Sequence, residues 1–216
     1  TDTGIEVFDV TVVGDSSLPS NIASLSTKKD GKLDVINIAT ADENVEDPAS
    51  LTIGNSITPS VDNPGGDSEP LPDNLTLIDA SEMAGDLTLG TSNARVDNLE
   101  TLDATGGGNV TFLADNNADG RSYDYTTGSG SDTLVVDLDG DTVDTIGESF
   151  LASTGGGDDS VTVTMDQAVE VFGAQVSFDT MAELDNLEIN TSSGDDDVNL
   201  DAYGTFDINT GSGSDF

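Results

Sequence analysis

Residues Thr127–Val135 read TGSGSDTLV, a glycine-rich turn that ends in a carboxylate and runs straight into an alternating apolar strand. The pattern returns along the chain. Thr154–Thr162 reads TGGGDDSVT, Thr191–Asn199 reads TSSGDDDVN and Thr210–Phe216 reads TGSGSDF, while Thr105–Val110, TGGGNV, is a degenerate fifth copy. Aligned, the four full copies share Thr at the first place, Gly at the fourth (Gly130, Gly157, Gly194, Gly213) and Asp at the sixth (Asp132, Asp159, Asp196, Asp215). The eighth place is apolar wherever the chain reaches it: Leu134, Val161, Val198. Glycine permits backbone angles that a Cβ resists, so the chain can turn tightly there and aim its carbonyls inward.

The first Thr of successive copies stands at 105, 127, 154, 191 and 210, giving spacings of 22, 27, 37 and 19. A fixed turn with irregular spacing points to the rungs of one solenoid carrying insertions on one side. Two places ahead of the later turns sit Tyr125, Ala152, Ile189 and Ile208, so strands on both sides of a turn can share one interior. Further up, Leu75–Ser81 followed by Gly85–Leu89 parallels Leu102–Thr105 followed by Gly108–Phe112 at an offset of 24 residues. The expected fold is all-β, a parallel β-solenoid resembling a β-roll, with a β-sandwich as the alternative.

Residues 1–56 also alternate with a period of two: Ile5 and Val7, Val10 and Val12, Ile36 and Ile38, Leu51 and Ile53. Between Leu25 and Leu33, Lys28-Lys29-Asp30-Gly31-Lys32 has the signature of a hairpin tip and holds three of the five basic residues. Residues 57–74 contain four of the six prolines and read as a long loop or linker. The expected organisation is an N-terminal β region (1–56), that loop (57–74) and a repeat region (75–216) within one continuous domain.

With 43 acidic against 5 basic residues, no His and no Cys, the net charge is −38. Imidazole acid–base catalysis, thiol nucleophiles and N or S metal ligation are thereby excluded, leaving oxygen as the only ligand type. Clustered Lys and Arg, needed to grip nucleic acid or an anionic membrane, are also missing. No apolar run approaches the ~18 residues of a spanning helix, so neither nucleic acid nor membrane insertion is expected. Adjacent carboxylates such as Asp158 and Asp159 do not face each other across a sugar, and no other catalytic constellation is present. The chain is not expected to be an enzyme.

The repeated turns resemble the G-G-x-G-x-D-x-U-x nonapeptide of RTX proteins, where stacked turns hold Ca2+. Thr or Ser stands where that motif has its first Gly. The resemblance covers about the second half of the chain and is closest to bacterial surface-layer proteins and secreted adhesins. It implies Ca2+ as the cofactor and an extracellular or cell-surface location. Carboxylates and backbone carbonyls are the hard donors this ion takes six to eight of. The candidate donors are Gly128, Gly130 and Asp132; Gly155, Gly157, Asp158 and Asp159; Gly194, Asp195 and Asp196; and Gly211, Gly213 and Asp215.

Two further stretches have calcium-loop grammar. Asp115, Asn117 and Asp119 with Gly120 open like an EF-hand loop, though Thr126 stands at its twelfth place. Asp137, Asp139 and Asp141 are followed by Glu148 at the twelfth, with Thr142 where the sharp turn wants Gly. Each reads equally as a calcium loop or as an acidic surface turn. For the repeats themselves, adaptation to high salt is the competing explanation of the Asp content.

Two functional readings follow. One is a calcium-stabilised structural component of an extracellular assembly such as a surface layer, filament or adhesin. The other is a calcium-dependent folding and export module of a larger secreted RTX enzyme or toxin. Self-association, head to tail or in a lattice, is expected because the turn ending at Asp215 is followed only by Phe216. Either the segment belongs to a longer repeat protein or a neighbour's Thr1–Phe8, alternating through Ile5 and Val7, fills the slot.

Overall fold

The computed structural model describes residues 5–25, 33–41, 46–54, 75–92, 94–97, 99–117, 121–140, 149–167, 184–202 and 204–216. Sixteen strands run through them in chain order. The first eight are β1 (Val7–Val12), β2 (Ser20–Ile22), β3 (Val35–Thr40), β4 (Leu51–Ile53), β5 (Leu77–Glu82), β6 (Leu87–Leu89), β7 (Val96–Asp97) and β8 (Thr101–Ala104). The second eight are β9 (Val110–Asn117), β10 (Tyr123–Thr127), β11 (Thr133–Gly140), β12 (Ser149–Ser153), β13 (Ser160–Gln167), β14 (Leu184–Asn190), β15 (Asp197–Asp201) and β16 (Gly204–Asn209).

The strands form two sheets, and every strand–strand pairing in them is parallel. The first sheet has the order β1-β3-β5-β8-β10-β12-β14-β16, and the second β15-β13-β11-β9-β6-β4-β2 with β7 beside β9. From β8 onward the chain alternates strictly between them. No helix occurs among the described residues.

Inward residues of both sheets build one core, including Ile36, Tyr125 and Phe150 from the first and Leu51, Phe112 and Val136 from the second. Tyr125 lies edge-on to Phe112 (4.8 Å between centroids) and to Phe150 (5.7 Å). Its hydroxyl donates to the Leu99 carbonyl and accepts from Asn116, which lets a polar tip sit inside an apolar layer. Tyr125, Ala152 and Ile189 are fully buried, as their place ahead of the turns suggests, whereas Ile208 on the edge strand is exposed.

The strand registers reproduce the motif spacings. Thr111 pairs with Thr133 at 22 residues, Thr133 with Ser160 at 27, Ser160 with Asp197 at 37, and Glu188 with Asp207 at 19. Leu77–Asp79 pairs with Thr101–Asp103 at 24. From β8 onward length varies chiefly on one side: the connection into the second sheet keeps to the short turn, and the return from Gly140 to Ser149 or from Gln167 to Leu184 takes up the difference.

β3 pairs with β5 and β4 with β6, so both sheets continue directly across the 57–74 segment. That segment, and the Lys28–Lys32 hairpin expectation, lie outside the described residues. One expectation at the start of the chain is corrected. Ile5 and Val7 are exposed and face outward, because β1 turns Phe8, Val10 and Val12 toward the interior register.

Fourth-place glycines are required by close stacking. A Cβ on Gly130 would lie 2.5 Å from the Gly108 carbonyl oxygen, on Gly157 2.1 Å from that of Gly130, and on Gly194 1.6 Å from that of Gly157. Gly130→Ala, with no positive φ to confound it, should therefore cost more than about 2 kcal/mol of unfolding free energy, while Ser129→Ala, exposed in the same turn, stays within about 0.5 kcal/mol. Urea unfolding of the two variants compares them directly.

Candidate functional site

Stacked in register, the five turns line one edge of the molecule, and the sixth-place carboxylates of four of them act as acceptors for the backbone. Asp132 Oδ1 accepts the Val110 N–H (2.8 Å), Asp159 Oδ1 the Asp132 N–H (2.9 Å), Asp196 Oδ1 the Asp159 N–H (3.0 Å) and Asp215 Oδ1 the Asp196 N–H (3.3 Å). Each reaches back to the preceding turn. The fifth place reaches the other way: Asp86 accepts from Asn109 N–H, Asn109 from Ser131, Asp158 from Asp195 and Asp195 from Ser214, at 2.8–3.0 Å. Ser131 interrupts this forward relay because its side chain is too short to span to the next turn.

The first-place Thr completes the unit. Thr127 Oγ1 donates to Asp132 Oδ2 at 2.6 Å and Thr191 Oγ1 to Asp196 Oδ2 at 2.8 Å. In the intervening turn, Thr154 Oγ1 and Asp159 Oδ2 are buried with no hydrogen bond of normal geometry, though Thr154 still acts to lower the Asp159 carboxyl. All three threonines and Asp132, Asp159 and Asp196 are buried. The second place takes a left-handed backbone in three turns, at Gly155 (φ 75°), Ser192 (φ 62°) and Gly211 (φ 73°), so Ser192 holds a conformation that a Cβ resists.

Burial pushes the Asp132 carboxyl up to about 6, against the Thr127 and Val110 hydrogen bonds that favour its charged form. Asp159 is raised as well, chiefly by burial and further by the neighbouring Asp196 and Asp158 charges. Four sixth-place carboxylates in succession, one strand spacing (~4.8 Å) apart, thus form a column of buried or half-buried negative charge.

The two calcium-loop candidates are arranged differently. Asp115 and Asn117 lie in β9, Asp137 and Asp139 in β11, and the strands pair Asp115 with Asp137 and Asn117 with Asp139. They are neighbouring rungs of an extended sheet, not loops. Thr126, twelfth from Asp115, lies in β10 of the other sheet. Asp97 continues the row beside Asp115, and Arg95 pairs with Asp137 at 2.7 Å. Asp119 and Asp141 fall outside the described residues. Among the described residues, no three carboxylates converge as a cage; the acidic donors run in columns.

Sequence reasoning found the sixth-place Asp and the fourth-place Gly but missed the first-place Thr and the fifth-place Asp86 and Asn109 as parts of the same network. The signal for Thr was its recurrence five residues ahead of every such Asp. Compared with family models, curated proteins and solved structures, the chain gives no match.

The Asp132 shift has a pH consequence. Its carboxyl titrates near 3.8 when unfolded and at about 6 when folded, so folding takes up a proton between those values. The stability this contributes, roughly 3 kcal/mol, is fully present below pH 3.8 and lost as pH rises through 6. In chelator at fixed monovalent salt, the urea midpoint should rise on acidification from pH 7 to 5. Asp132→Asn, which keeps an oxygen for the Val110 N–H and an amide that can donate to Thr127 Oγ1, should flatten that rise.

Proposed function

We propose that this chain is a structural component of an extracellular assembly, a parallel β-solenoid whose acidic turn edge is stabilised by Ca2+. The observation that carries the reading is the register in which the turns stack, because it aligns carboxylates that repel one another. At one strand spacing and an effective dielectric of about 20, each aligned pair costs roughly 3 kcal/mol, and a run of such pairs approaches the whole stability of a domain. A hard divalent cation relieves that repulsion.

The chemistry of the donors fits such an ion in part. Asp158 and Asp195 are exposed and each commits one oxygen to the backbone relay, and the buried Asp159 Oδ2 makes no hydrogen bond of normal geometry. These residues would hold the ion, which supplies positive charge and nothing catalytic. By contrast, the fourth-place glycines have a steric reason to be there, and the sixth-place Asp a hydrogen-bonding one, so neither needs an ion to account for it. The RTX-like motif supports a place outside the cell, and the lack of cysteine is compatible with it.

The expected result in circular dichroism is loss of β signal and a lower melting temperature in chelator, with recovery in millimolar Ca2+ and poorer recovery in Mg2+, which demands stricter octahedral geometry. Melting that is identical with and without chelator would sink the proposal. NaCl at matched ionic strength reproducing the calcium shift would replace it with simple charge screening, the salt-adaptation reading. Among single sites, Asp158→Asn and Asp159→Asn should weaken the calcium response more than Asp137→Asn, whose partner is Arg95. Equal responses in all three would remove the turns from consideration.

A further inference from the structure

On the outer face of the second sheet, the register of β7, β9 and β11 sets three carboxylates side by side: Asp97 pairs with Asp115, and Asp115 with Asp137. On the next rung Thr164 takes the place, so the row ends at Asp137. All three are half-buried and stand about one strand spacing apart. Like charges directly opposite one another in a sheet are destabilising.

The chain itself supplies a cation to this row. Its ladder breaks off at Leu89, opposite Phe112, and resumes at Val96, opposite Ala114, so the chain makes an excursion where β9 has Leu113 alone. Gly90 opens the excursion with a left-handed backbone (φ 80°), at a point where a Cβ would lie 2.7 Å from the Leu113 carbonyl oxygen. Thr91 and Ala94 close it by exchanging backbone hydrogen bonds of 2.7 and 3.0 Å. Arg95 is the residue at which the chain returns to the sheet. Val96 beside it is buried, so by the alternation of a strand Arg95 stands on the outer face with Asp97. One guanidinium nitrogen, Nη1, donates to the Ala114 carbonyl (3.2 Å) and meets Asp137 Oδ2 at 2.7 Å. The side chain thus crosses over β9, from the strand that carries the first carboxylate of the row to the strand that carries the last.

From this geometry we infer that Arg95 is an internal counter-ion, a strap across β9 that offsets the charge of Asp97, Asp115 and Asp137 so that this face holds its register without an external cation. An ordinary surface ion pair contributes little. This one differs in that its guanidinium side chain is only 24% exposed, spans three strands and bonds the backbone of the strand it crosses. A planar guanidinium suits that double contact better than the point charge of an ammonium. Neither Arg95 nor Arg121 lies in a repeated turn. The acidic columns therefore divide into one neutralised from within and one left to external ions. The second half of that division rests on the calcium reading above; the strap itself does not.

Melting of the full chain in chelator, at about 0.1 M and about 1 M NaCl, tests the strap with calcium absent throughout. Arg95→Gln should melt at least about 3 °C below wild type at the lower salt. Most of that gap should close at the higher salt, where screening is short-ranged. Adding Asp137→Asn to Arg95→Gln should narrow the gap at low salt as well, because it removes the last carboxylate of the row. Where Arg95→Gln does not fold at low salt, the NaCl concentration at which its β signal returns, set against that of wild type, gives the same comparison. A gap that salt leaves unchanged would assign Arg95 to packing alone, and no gap at either salt would make the contact an inert surface pair. Either result overturns the inference, as does a double variant no more stable than Arg95→Gln.

Discussion

The structure depends on how closely one backbone turn can lie on the next. At the fourth place of each turn the Cα sits against the preceding glycine carbonyl, at a separation that leaves no room for a Cβ. That approach keeps the turns at the strand spacing of the sheets, so the parallel ladders on both sides of the turn continue without a break. Larger residues there would wedge successive turns apart, and the inward layers of Tyr125, Phe112 and Phe150 would lose contact with the layers above and below. A local steric fact thus governs the register of both sheets.

Turns packed so tightly leave backbone N–H groups that neither sheet can satisfy, and an unpaired buried N–H is costly. The sixth-place Asp answers this with an acceptor short enough to reach one turn back, and Asp86, Asn109, Asp158 and Asp195 answer it in the opposite direction. Each turn is therefore braced from both sides. The consequence is electrostatic: the best acceptor for an N–H is an ionised carboxylate, yet burial raises Asp132 and Asp159 toward protonation. Thr at the first place moderates the conflict by donating to the second oxygen in two of the turns. Hydrogen bonding sets where the charges go, and their mutual repulsion is what a cation or a high-salt medium would have to relieve.

Much of this was legible in the sequence. Period-two alternation located the strands around Ile36, Leu51 and Leu134, and the motif spacings gave the register between neighbours, because a repeat that must stack advances by one turn per copy. The start of the chain was less legible. Ile5, Val7, Phe8, Val10 and Val12 offer apolar residues on both faces of one strand, and only the pairing with β3 decides which face is inside. The Asp115 and Asp137 stretches are ambiguous for a related reason: Asp-x-Asn and Asp-x-Asp alternate with the period of a strand as well as the spacing of a loop. The Thr residues read as a departure from a glycine motif, since sequence spacing alone does not reveal a side chain that bonds a carboxylate five residues on.

From β8 onward variation in length falls chiefly on one side, and the ladder explains why. A connection from the first sheet to the second must present a glycine at the fourth place and an acceptor at the fifth or sixth, at heights fixed by its neighbours. Adding one residue there would move every acceptor off its donor. The return connections carry no such column, and loop closure costs little more as they lengthen, so the path from Gln167 to Leu184 can be long while that from Asp201 to Gly204 is short. Sequence change is thereby directed away from the stacked edge.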